Sequence, residues 1–130
     1  MSKVERFEDL DCWKVAREIT NKIYDLSERG RFARDYALKT QIRDACISIM
    51  SNISEGFERD WDKEHAHFLS YSQGSAGEVR SQLYIALDRQ YVTKEEFDEV
   101  YKVLVREALM INGLMKYLKE SDYDAQKCRK

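Results

Sequence analysis

Apolar residues recur along this chain at spacings of three and four, the period of an amphipathic helix rather than a strand. Trp13, Ala16, Ile19, Ile23 and Leu26 form the first stripe, with charged residues between them. Asp9 or Asp11 is placed to cap this helix, and Arg29 with Gly30 to end it, so it spans about 11–29. Phe7 and Leu10, just ahead of it, can plug onto the body. A second stripe, Leu38, Ile42, Ala45, Ile49 and Ile53, follows a short connection that turns the chain back, with Asp35 as its cap and Gly56 as its terminator. It predicts a helix over 35–55.

Phe57 and Trp61 punctuate the next linker. Helix three is expected over 61–90, starting near Asp60 or Asp62, with Phe68, Tyr71, Ser75, Val79, Leu83, Ala86 and Leu87 on its buried side. Gly74 and Gly77 lie in its middle, where each glycine costs about 1 kcal/mol relative to alanine. Such residues make sense where another backbone comes close, and the small polar end of helix two is the expected neighbour. Thr93 and Glu96 have the spacing of a capping box. Helix four then carries Phe97, Val100, Tyr101, Leu104, Ala108, Ile111, Met115 and Leu118 over 94–120, leaving 121–130 as a polar tail. The expected fold is therefore all-α: one domain over 1–130, an antiparallel up-down-up-down four-helix bundle.

Composition agrees. The 130 residues contain no proline and five glycines, with 35% charged side chains, too little punctuation for a turn-rich β protein. A formal net charge of −2 argues against an undirected electrostatic grip on nucleic acid but leaves room for a local basic patch. Cys12, Cys46 and Cys128 are too widely spaced for a disulfide framework or a zinc site. The N-terminal residues lack the apolar run of a signal peptide and no run of about 20 apolar residues could span a membrane, so a cytoplasmic protein is expected. Asn52-Ile-Ser54 is for the same reason not read as a glycosylation site.

Catalytic and metal signatures are weak. Asp62 and His65 approach the Glu-x-x-His spacing of a di-iron bundle, but no second copy exists, and His65 and His67 point in different directions from a helix start expected to be solvated. Cys46 sits beside the second stripe and reads as a buried thiol. Gly74-Ser-Ala-Gly77 lacks the lysine and preceding strand of a phosphate loop. No catalytic residue, cofactor or metal ligand is assigned, and the chain is expected not to be an enzyme.

One polar group stands out. Ser48, Asn52 and Glu55 share a helix face, Ser75 and Glu78 share another, and Arg43 and Arg59 flank the first set. They form either a hydrogen-bonded seam between helices two and three or between subunits, or a contact for a polar ligand or nucleic acid. An enzymatic or ligand-binding bundle built on Asn52, Glu55 and Ser75 is the alternative to an architectural seam. Tyr84, Tyr91, Tyr101 and Tyr117 are candidates for exposed aromatics at a subunit interface.

Phe7-Glu-Asp-Leu10, Trp13-Lys14, Gln41-Ile-Arg43, Ser48-Ile49, Asn52-Ile53 and Glu55-Gly56-Phe57 follow one known pattern, continued by Arg59, Lys63-Glu64, Phe68-Leu69, Gly74-Ser75 and Glu78. From Phe7 to about Leu118 the chain resembles the proteins encoded in intervening sequences of bacterial large-subunit (23S) ribosomal RNA genes. A related branch comprises the accessory variability proteins of diversity-generating retroelements. The resemblance implies a four-helix protomer assembling into a homopentamer. For the retroelement branch it also implies binding of nucleic acid and of a nucleic-acid-handling protein through a basic surface.

Overall fold

The computed structural model describes residues 4–59 and 62–128, with side chains through Ser121. A one-turn 3-10 helix, Phe7–Asp9, leads into α1 (Asp11–Ser27), the short α2 (Gly30–Arg34), α3 (Tyr36–Phe57), α4 (Asp62–Asp88) and α5 (Lys94–Cys128). The four long helices, α1, α3, α4 and α5, form the bundle. Trp61, Asp60 and the Cys128 side chain lie outside the described residues.

Cross-helix bonds give the register. Ser75 meets Ser48 and Gln82 meets Gln41, so α3 and α4 run antiparallel. Tyr84 packs on Phe97 while Gln73 reaches Ala108, which sets α4 against α5. Lys22–Glu99 and Glu18–Arg106 pairs do the same for α1 and α5. Ile19, Ile23, Ile42, Ile49, Ile53, Leu69, Val79, Leu83, Leu104 and Ile111 are fully buried between them.

Several local expectations hold. Asp35 caps α3 by accepting from the Leu38 amide at 3.1 Å. Thr93 and Glu96 form the reciprocal capping box, with bonds of 3.1 and 2.9 Å. Leu10 is buried and Phe7 packs edge-on against Trp13, plugging the open end of the bundle.

Others are corrected. Neither Asp9 nor Asp11 caps α1; Leu10 holds that position without a side-chain bond. Helix one stops at Ser27, and 30–34 is not a plain connection but a helical turn that seats the fully buried Phe32. The last helix continues to Cys128 rather than ending near 120, because no glycine or proline follows Gly113 to stop it. On α4, Ser75, Val79, Leu83 and Ala86 are buried as expected, but nearer its start Tyr71 is half exposed while His65, Ala66, Leu69 and Ser72 face inward. Tyr84 and Tyr117 are exposed, but Tyr91 and Tyr101 are half-buried, Tyr91 stacked on Phe32.

The glycines exchange roles. Gly74 has open space where a Cβ would stand, and Gly77 meets only the tip of Arg80 at 3.9 Å, so neither marks the close approach. Gly56 does. It lies inside α3 rather than ending it, and a Cβ there would stand 2.8 Å from the Phe68 Cβ and 3.1 Å from the His65 carbonyl. Both neighbours are backbone-anchored, so the helices must separate to admit a methyl group. Gly56→Ala is expected to destabilise the fold by about 2 kcal/mol. Gly113→Ala, with nothing within 4 Å, should stabilise it by about 0.5–1 kcal/mol. Urea unfolding followed by circular dichroism measures both, and equal effects at the two positions would refute the assignment.

Candidate functional site

Of the seven polar residues singled out from the sequence, six separate into three groups and Glu78 stands apart. The first is a seam between α3 and α4. Ser75 Oγ donates to Ser48 Oγ at 2.8 Å, and Asn52 Nδ2 donates to the Ser48 hydroxyl and carbonyl at 3.0 and 2.9 Å. One turn away, Ser72, absent from the sequence-based set, donates from its fully buried hydroxyl to the Ile49 carbonyl at 2.8 Å. These small side chains satisfy buried polar atoms while holding two helices close. Each hydroxyl bond adds about 1 kcal/mol.

Arg43 belongs elsewhere. Its Nε donates to Ser27 Oγ at 2.8 Å and its guanidinium lies 4.2 Å from the centre of the Tyr24 ring, so it staples α3 to α1. Glu55 and Arg59 form the third group, an ion pair of 2.8 Å at the α3 C-terminus, with Arg59 also over the Phe68 ring. Both are exposed, and such a pair contributes about 0–1 kcal/mol. Glu78 is exposed and contacts none of these; it borders a shallow groove of about 290 Å³ with Gln41, Asp44, Ala45, Ser48 and Ser75.

Among the described residues no carboxylate or imidazole is hydrogen-bonded to a seam hydroxyl, although Asp44 and Glu78 line the adjoining groove. Ser48 and Ser75 are bonded to each other and to an amide, and a serine nucleophile requires a group able to take its proton. Among the described residues no three His, Cys, Asp or Glu side chains are grouped to hold a metal ion, and no helix is long and apolar enough to cross a membrane. Cys12 and Cys46 are buried, and burial pushes both thiols up to about 12, with the Glu107 carboxylate adding to the effect on Cys12.

Two ionisable groups sit in the core. His65 is not solvated as expected: it is buried against Gly56 and edge-on to Phe57, its Nε2 has no partner, and desolvation lowers its pKa. His67 is exposed and bonds the Tyr71 hydroxyl at 2.8 Å. Glu107 is fully buried on α5, with neither carboxylate oxygen hydrogen-bonded. Burial pushes its pKa up to about 8, against a small opposing pull from Arg106. The sequence held a signal for it: position 107 continues the stripe between Leu104 and Ile111 at spacings of three and four.

A family model, 23S rRNA-intervening sequence protein, matches residues 8–113. No curated protein matches the chain. Among solved structures, a protein with unknown function from the S23 ribosomal protein family of Bacteroides thetaiotaomicron superposes with a TM-score of 0.74. The two are 16% identical, over 81% of this chain and 95% of that one. At that identity the likeness concerns the fold.

The buried pair makes stability pH-dependent in two directions. Glu107, with its folded pKa raised above the ordinary value of 4.5, is protonated when folded and ionised when unfolded between about pH 4.5 and 8. Stability from this residue is therefore greatest below that window and falls as pH rises through it, by up to about 1.4 kcal/mol per pH unit. His65, with its pKa lowered, acts in the opposite sense, and its contribution is lost as pH falls below 6.5. Glu107→Met should gain stability over the native chain progressively from pH 5 to pH 8, read from thermal melts of both proteins. A gap independent of pH would show that Glu107 is not held neutral.

Proposed function

The chain belongs to the 23S rRNA-intervening sequence protein family, and from that premise we propose a non-enzymatic cytoplasmic protein that self-associates and works with RNA. The single observation that supports self-association most is the outer face of α4 and α5. Leu109, 69% exposed, projects there with Val105, Tyr84 and Ile85, while exposed Gly74 and Ser81 keep the facing part of α4 low. Exposed apolar side chains beside a helix surface without bulk fit a close helix contact with another molecule.

A homopentamer, the assembly implied by the family resemblance, needs two unlike patches in head-to-tail contact. Ile47, 45% exposed, supplies apolar surface on the far side of the bundle. It continues the α3 stripe of Arg43 and Met50, both of which touch α1. The non-enzymatic part is supported by the seam, whose hydroxyl and amide groups bond one another, with neither Asp44 nor Glu78 of the adjoining groove hydrogen-bonded to a seam hydroxyl. The RNA part follows the further resemblance to the accessory variability proteins of diversity-generating retroelements.

Light scattering after gel filtration tests the assembly. The native chain is expected at five times its 15.4 kDa mass, and Leu109→Glu should shift it towards the monomer with an unchanged helical spectrum. A monomeric native chain at micromolar concentration would refute self-association, and an unshifted variant would move the interface elsewhere.

A further inference from the structure

Unpaired arginine collects at one end of the bundle, where α2 meets the turn between α4 and α5. Arg31 and Arg34 lie on α2 and Arg89 in that turn; all three are exposed, and no ion pair is formed by any of them among the described residues. Arg31 is held in place, donating to the Arg89 carbonyl at 2.8 Å with its guanidinium 5.5 Å from the centre of the Tyr91 ring. Below it, Phe32 stacks on Tyr91, whose hydroxyl donates to Asp35 at 2.9 Å. The arginines therefore stand on a rigid platform.

Most carboxylates at this end are already engaged. Asp35 serves Tyr91 and the Leu38 amide, Glu28 lies 3.7 Å from Arg43, Glu96 pairs with Arg29, and Asp98 pairs with Lys94. Asp25, Asp88 and Glu95 remain exposed without an ion pair, and the hydrogen bonds to Asp35 do not cancel its formal charge, so the arginines act through local phosphate contacts rather than a net positive field. Two residues beyond Arg34, Tyr36 opens α3 at the same end with 73% of its surface exposed. Exposed guanidinium groups and an open aromatic ring at one end of the bundle match the chemistry of an unpaired strand: phosphates on the cations and a base on the ring.

We infer that this end binds unpaired RNA, its phosphates on Arg31, Arg34 and Arg89 and a base stacked on Tyr36; the inference rests on the RNA-associated reading above. A duplex keeps its bases stacked inside and offers Tyr36 nothing. Single strands or loops are therefore the favoured ligand.

Fluorescence anisotropy with a labelled 12-nucleotide single strand and a paired RNA of equal length, at 50 and 200 mM salt, tests it on the full chain. The single strand should bind more tightly than the duplex. Arg34→Ala with Arg89→Ala should weaken binding about tenfold at 50 mM salt and flatten the log–log salt slope by about 1.4, two contacts' worth. Arg31 is left intact because it also holds the platform. Tyr36→Ala should weaken single-strand binding at least fivefold without changing the slope. Lys63→Ala with Lys119→Ala, at the opposite end, should change neither. Native binding that survives the arginine substitutions would overturn this site while leaving the RNA reading intact. Absence of binding by the native chain at 50 mM salt would overturn both. Equal affinity for duplex and strand, with Tyr36→Ala neutral, would overturn the base contact.

Discussion

The bundle depends on how closely α3 and α4 approach. At Gly56 the missing Cβ lets the Phe68 side chain and the His65 carbonyl come within about 3 Å of where a methyl group would stand. Further along, Ser72 and Ser75 of α4 replace bulky packing with short hydroxyl bonds to the backbone and side chains of α3. Glycine at the pinch and hydroxyl rungs beyond it set both the distance and the register of this pair. The other two helices are then fitted to it: α5 through Gln73 and the Tyr84–Phe97 contact, and α1 through Arg43 and Met50. Buried serines are a specific choice here. A leucine would separate the helices, and an alanine would leave the Ile49 carbonyl without its added partner.

Periodicity made the fold legible. Four stripes of apolar residues, an Asp35 cap and the Thr93–Glu96 box are local signals, and the structure uses them as local chemistry requires. What could not be read is which small residue faces which neighbour. Gly56 resembles a helix stop because glycine disfavours the helix interior, and only the tertiary contact with Phe68 explains why it sits there. Gly74 and Gly77 resemble a close contact for the same reason and meet almost nothing within the chain. The seam was half legible: Ser48, Asn52 and Ser75 share faces that can be counted from sequence. Arg43, on the same helix, turns to α1, and Ser72 escaped notice because serine alone carries no periodic signal.

Glu107 and His65 show where local rules give way. Each occupies a position that its helix turns inward, and each is kept uncharged by desolvation rather than paired. A buried neutral carboxyl costs stability relative to a methionine of similar shape, but it also penalises any slip of α5 that would leave the group ionised in apolar surroundings. The two groups act in opposite senses: rising pH costs stability at Glu107 and falling pH costs it at His65, and their windows overlap just below pH 6.5. Neither borders the seam or the grooves. Their perturbation follows from packing, desolvation being its leading cause at both positions.

The two surfaces left open by the fold differ in kind and in place. Apolar side chains and bare glycines lie along the flank of α4 and α5, whereas the unpaired arginines and Tyr36 lie at an end. Contacts along the flank would leave the ends uncovered. Under the proposed assembly, bundles joined side by side would carry several arginine ends on one rim. Three arginines offset by Asp25, Asp35, Asp88 and Glu95 make a weak site alone. A strand that reached two or more such ends would meet each later one at a high effective concentration, multiplying affinity without any new contact. On the proposed assembly, a net charge of −2 per chain would be compatible with a polyanionic partner, because binding would depend on repeated local contacts rather than on overall charge.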